Sequence, residues 1–398
     1  MNRRYPTGML ADECDVFADG DWVESKDQSA EGIRLVQTGN VGLGVFKGRG
    51  EKARYVSDDT FRRLRCTEIF EGDCLISRLP DPVGRSCLVP GTGERMITAV
   101  DCTIVRFKPK QVLAQFFNLY SQSLDYLKAV DAETTGTTRK RISRSRLGQV
   151  SIPVPPLPEQ QRIVTVLDET FEAIATARAN TEQNLRNARE LFDNHLQRVF
   201  TQRRPGWVKK PLGAAFVTVT GTTPPKNNAG YYGNFMPLVK PPELRDAVLD
   251  SADDGLSELG AMVARTAPPR SVLVSCIGNL GKVGLNAVPV AFNQQINAIV
   301  PDETQAVPEF MFMQALSSPF REQLEALATG TTVRLVNKSK FNGVTVVLPP
   351  LAEQHVIAGQ LLSLRERTQH LESVYQRKLS ALETLKQSLL QEAFTGAL

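Results

Sequence analysis

Two stretches of this chain carry apolar or small residues on an alternating spacing of three and four. In the first, between Pro158 and about Phe200, these are Leu167, Phe171, Ile174, Thr181, Leu185, Ala188, Phe192 and Val199. In the second, from Ala352 to about Phe394, they are Leu361, Leu364, Leu371, Tyr375, Leu382, Leu385 and Leu389. That spacing predicts two long helices with coiled-coil-like seams. About 43 residues give each a length of roughly 64 Å. Elsewhere the apolar runs are short and bounded by Gly, Pro and Asp, which is strand-and-turn punctuation. Strands are predicted at Ile33–Val36, Cys74–Ile76, Cys87–Val89, Cys102–Phe107 and Val150–Val154, and again at Met236–Lys240, Val272–Cys276, Gly284–Ala287 and Ala298–Val300. One helix is predicted over Gln111–Val130 and its counterpart over Phe310–Leu327, with Phe310 falling on Phe116.

The long helices open on the same words. Pro155-Pro156-Leu157-Pro158-Glu159-Gln160 returns as Pro349-Pro350-Leu351-Ala352-Glu353-Gln354, a shift of 194. The same shift carries Gly136-Thr137-Thr138 onto Gly330-Thr331-Thr332 and Phe200-Thr201 onto Phe394-Thr395. The chain is thus a tandem repeat, expected as globular domain 1–154, helix 155–204, globular domain 205–348 and helix 349–398. Prolines cannot enter a helix interior, so Pro155-Pro156 and Pro349-Pro350 set sharp helix starts. Each apolar seam needs cover, and the cheapest is the other helix. An antiparallel pair with a domain at each end has approximate two-fold symmetry, which suits a target in two evenly spaced parts such as duplex DNA.

A net charge of +4 permits a nucleic-acid partner without demanding one. Its distribution says more. Arg139, Lys140, Arg141, Arg144 and Arg146 crowd eight positions with Ser143 and no acid, directly after Gly136, Thr137 and Thr138. Backbone amides and hydroxyls of such a loop suit phosphates, and arginines supply charge and two-pronged base contacts. A solvated basic surface explains one such loop equally well. The second copy tips the balance to DNA: Gly330, Thr331, Thr332, Arg334, Lys338 and Lys340 repeat the pattern, with Ser339 retained. Lys47, Arg49, Arg62, Arg63, Arg65 and Arg78 extend the candidate DNA face in the first half, and Lys226, Asn227, Lys240, Lys282, Asn293 and Gln294 in the second.

Catalytic motifs are missing. The three histidines, His195, His355 and His370, fall in the long helices, and Gly278–Val283 has the wrong spacing for a nucleotide loop. Six scattered cysteines fit free thiols in a reducing compartment. The start of the chain lacks the apolar core of a secretory signal, and no apolar run reaches the ~20 residues of a membrane span. A cytoplasmic protein is expected. A self-contained DNA methyltransferase or nuclease would need motifs that are missing. A coiled-coil scaffold without a nucleic-acid role would leave the paired basic loops without a purpose.

The tandem of domain, P-P-L-x-E-Q helix, domain and P-P-L-x-E-Q helix resembles the specificity subunit of type I restriction–modification enzymes. Trp207 … Leu212-Gly213 … Gly221-Thr222-Thr223-Pro224 is similar to the start of a target-recognition domain in that family. The resemblance implies α/β (α+β) target-recognition domains in tandem, separated by two long antiparallel coiled-coil helices in a pseudo-two-fold repeat. It implies that each domain reads half of a split double-stranded DNA site, and that the chain itself is not catalytic. It further implies assembly with two methyltransferase subunits, through Leu157, Pro158, Glu159, Gln160, Leu351, Glu353 and Gln354. No cofactor is expected in this chain: S-adenosylmethionine would sit in the methyltransferase, ATP and magnesium in restriction subunits where these join. The first half departs from the pattern. It lacks the Trp … Leu-Gly opening, and Asp21-Trp22-Val23 is placed differently.

Overall fold

The computed structural model describes residues 5–136, 140–202 and 205–398. The chain forms two compact units, Met1–Thr181 with Arg377–Leu398, and Glu182–Gln376. The boundaries fall inside both long helices, so compactness cuts across the blocks marked out by the sequence.

In the first unit a four-stranded sheet runs Cys14–Asp19, Cys102–Phe107, Cys74–Ser77, Ser86–Leu88 in spatial order, all antiparallel. A second sheet orders Tyr55–Val56, Ile33–Val36, Met96–Thr98, Glu68–Ile69, with its central pair parallel. The second unit repeats this plan. Val217–Thr220, Ile296–Val300, Val272–Ser275 and Val283–Asn286 form the first sheet, extended by Ala247–Leu249. Gly255–Leu256, Tyr232–Val239, Val290–Phe292 and Thr266–Ala267 form the second, again with a parallel central pair. The central strands are buried on both faces almost throughout, which is why they read as apolar runs rather than alternating patterns.

Each predicted helix before the basic loop is two helices. Gln111–Val130 resolves into Ala114–Tyr120 and Leu124–Ala132, the second capped by the Ser123 hydroxyl. Phe310–Leu327 resolves into Pro308–Leu316 and Ser318–Leu327, where Ser317 and Pro319 restart the chain. A serine cap in the first case and a first-turn proline in the second favour a new start over continuation.

The long helices span Leu157–Thr201 and Leu351–Thr395, 45 residues each. In the first unit the start of one and the end of the other share a core: Ile163, Val164 and Leu167 lie with Leu390 and Ala393 beside Phe116 and Phe117. In the second unit Leu196, Val199 and Phe200 lie with Ile357, Ala358 and Leu361 beside Phe310. The pairing is therefore antiparallel in each unit. Arg178 bridges to Glu383 in the first and Arg189 to Glu372 in the second, and a shift of 194 turns one pair into the other. Lys386 lies over the Phe171 ring, and Arg365 over Phe192. The first seam is as predicted. In the second, Leu371 and Leu385 are exposed while Thr368 is buried.

Candidate nucleic-acid interface

The two basic loops are built on one frame. Thr135 and Arg141 exchange both backbone hydrogen bonds at 2.9 Å, and Thr329 and Leu335 do so at 2.9 and 2.8 Å. The turn opens on glycines at positive φ, Gly136 at 100° and Gly330 at 93°. A side chain at Gly330 would also strike the Val333 carbonyl, so the second loop admits only glycine there. Buried Ile142 and Val336 then pin the chain to the core. Short helices follow, Arg144–Gly148 capped by Ser143 and Lys338–Asn342 capped by Asn337. The frame leaves Lys140, Arg141, Arg144 and Arg146 exposed in one domain, and Thr331, Thr332, Arg334 and Lys338 in the other. Thr137, Thr138 and Arg139 lie outside the described residues.

Several of these cations have partners of their own. Lys140 meets Asp131 at 2.6 Å, Arg141 meets Asp101 at 2.8 Å, and Arg334 meets Glu325 at 2.7 Å. Lys340 donates to the Leu327 carbonyl, Arg63 pairs with Asp27, and Lys240 pairs with Asp254. Where both partners are exposed, as in Lys140–Asp131 and Arg334–Glu325, such a pair is weak and exchanges readily for a phosphate. Lys47, Arg49, Arg62, Lys226 and Lys338 are exposed, and among the described residues they have no ion pair.

Arg78 is corrected by the structure. It is only 4% exposed, donates to the Val100 carbonyl at 2.5 Å and lies 3.3 Å from Asp19. A guanidinium enclosed by its own domain cannot itself touch a duplex. Gln160 and Gln354, expected on a docking surface, are fully buried as well. Gln160 accepts from the Leu113 amide at 2.8 Å and donates to the carbonyls of Gln111 and Pro155, both at 2.7 Å. Gln354 does the same with Val307, Gln305 and Pro349 at 2.9, 2.9 and 2.8 Å. A primary amide has the two donors and the acceptor these backbone groups need. The motif's glutamine clamps each long helix to its own domain. Leu157, Glu159, Leu351 and Glu353 are half-buried, and Pro158 and Ala352 are exposed.

The missing opening of the first domain is also found. Strand Thr7–Met9 pairs with Ser151–Pro153 as Val208–Pro211 pairs with Thr345–Leu348, which sets Tyr5 in the place of Trp207. Both rings donate to the motif glutamate, Tyr5 to Glu159 at 2.8 Å and Trp207 to Glu353 at 3.1 Å. Trp22 is 70% exposed and plays no such part. Beside each of these rings lies a cavity. One of about 670 Å³ is lined by Tyr5, Tyr120, Ser151 and Phe394; one of about 630 Å³ is lined by Trp207, Gln314, Thr345 and Phe200.

The model of the type I restriction modification DNA specificity domain matches residues 45–185 and 205–379. The chain belongs to that family. It is 32% identical over 167 residues to the HindI specificity subunit of Haemophilus influenzae, covering 41% of this chain and 36% of that protein. It is 27% identical over 232 residues to the EcoR124I/EcoR124II specificity subunit of Escherichia coli, covering 55% and 56%. Neither match reaches two thirds of the relative's own length. A chain solved in work on complex assembly and conformational transition of the type I R-M system superposes with a TM-score of 0.78 at 19% identity, over 99% of this chain and 98% of that one. That likeness bears on the fold. Among the described residues no helix is long and apolar enough to cross a membrane.

Proposed function

We propose that this chain is the non-catalytic DNA-specificity subunit of a type I restriction–modification assembly in the cytoplasm. Each globular domain reads half of a split double-stranded site with its basic loop, and the helix pair sets the spacing. The observation that carries this is the loop frame made twice, with exposed cations kept on both copies while the sequences around them diverge. A lone basic loop is a common surface feature; two on identical frames call for a repeated ligand, and the DNA backbone is one. Two modification subunits dock on the chain, one at each helix start, and the twin cavities beside Tyr5 and Trp207 offer them matched surfaces. S-adenosylmethionine belongs to those partners, and ATP with magnesium to restriction subunits where present.

The test is to reconstitute the chain with its modification partner and map the methylated adenines. A split motif with a fixed spacer is expected; a contiguous motif, or methylation by this chain alone, would defeat the proposal. Arg144→Glu with Lys338→Glu should also flatten the dependence of DNA affinity on salt by about two phosphate contacts. An unchanged slope would take both loops off the DNA.

A further inference from the structure

Beneath the first basic loop lies a charged cluster. Asp19 ends its strand opposite Thr103, Arg78 follows Ser77, and Asp101 precedes Cys102, so three adjacent strands deliver them to one place. Asp101 is 2.8 Å from Arg141, and Asp19 is 3.3 Å from Arg78 and 3.9 Å from Arg144. The Arg78 carbonyl accepts from the Ile142 amide, which ties the loop to the cluster. Four buried atoms here have no hydrogen-bond partner among the described residues: Asp19 Oδ1, Arg78 Nε, Asp101 Oδ1 and Thr103 Oγ1. Asp19 Oδ1 and Asp101 Oδ1 are met by charge alone, from Arg78 and Arg141, and a buried cluster held this way is costly and rare.

Strand register gives the corresponding positions of the second domain. Thr220 stands for Asp19, Cys276 for Arg78, Gln295 for Asp101, Asn297 for Thr103 and Leu335 for Arg141. All are neutral, and Thr220 bonds Asn297 at 2.6 Å. The charged set is thus present as a block in one domain and absent as a block from the other.

We propose that Asp19, Arg78 and Asp101 are positioning residues that aim Arg141 at a guanine in the first half-site. This rests on the DNA-reading function proposed above. The Asp101 carboxylate draws one terminal nitrogen of Arg141 to itself by an ion pair and leaves the other donors of the fork for the O6 and N7 acceptors of guanine. Arg78 offsets the two carboxylates, which would otherwise repel the duplex. The second domain, with Leu335 at that position, reads its half-site by other contacts.

The experiment uses the full chain with its modification subunits and measures methylation of DNA substituted at each base of the mapped site. Asp101→Asn and Arg141→Gln should each cut discrimination at the same first-half guanine by about tenfold, with the second half-site and the melting temperature unchanged. Arg141 is half exposed, so its variants carry the test if Asp101→Asn folds poorly. Arg141→Lys, which keeps the charge and loses the fork, should behave as Arg141→Gln. A uniform loss across all sequences, full activity of Arg141→Lys, or a first half-site without guanine would overturn the cradle. A wild-type complex that methylates no split site would instead overturn the specificity-subunit reading, and the cradle with it.

Discussion

Gln160 and Gln354 show how a polar residue in a visible motif can be misjudged. Their place in the repeat is plain in the sequence, but an amide at a helix start suggests a surface contact. Only the fold brings Leu113 and Gln111, or Val307 and Gln305, to within reach of it. Removing either side chain leaves three backbone groups without this partner, and those of Pro155, Val307 and Pro349 are buried. Gln160→Ala and Gln354→Ala should each cost about 2–3 kcal/mol, read by denaturant unfolding. Arg78 misleads for a similar reason, since composition cannot tell a buried arginine from a surface one. Cysteines permit a prediction in pH. Burial pushes the thiols of Cys87 and Cys276 up to about 12 from the ordinary 9.0. Between those values the unfolded chain has released these protons and the folded chain still holds them. Their contribution is therefore full below about pH 9 and is lost as pH rises toward 12. The melting temperature should fall over that range, and less steeply in Cys276→Ala.

At the scale of elements, the long helices were legible because 45 residues of periodic pattern outweigh local noise. Their seam was less so. Leucine is equally at home on an exposed helix face and in a seam, so apolar spacing selects Leu371 and Leu385 and passes over Thr368. The consequence is a sharp contrast between neighbours. Leu361→Glu should destabilise the second unit by about 3 kcal/mol or more, because it buries an unpaired charge. Leu371→Glu should change stability by less than about 0.5 kcal/mol. Equal losses in the two variants would mean the seam is wrongly drawn. The breaks at Ser123 and Ser317 carried readable signals, a capping serine and a proline two residues on, which apolar spacing alone passed over. Tyr5 carried none. It answers Trp207 through strand pairing at a different offset from the rest of the repeat, so no sequence register could find it.

For the whole molecule, the tandem organisation was the most legible feature and the base-reading surface the least, since the latter depends on where loops carry their side chains. If the domains are independent readers, exchanging residues 207–348 for the block of a relative should alter one half of the methylated motif and leave the other intact, as sequencing of modified DNA would reveal. The division into units has one more result. The second unit is a single run, Glu182–Gln376, whereas the first needs Leu390, Ala393 and Phe394 to finish its core. On the ribosome, the domain made first must wait for residues that follow the second, while the later one can close as soon as it emerges. A nascent chain halted after Gln376 should show a protease-resistant second half and a first half still open to digestion.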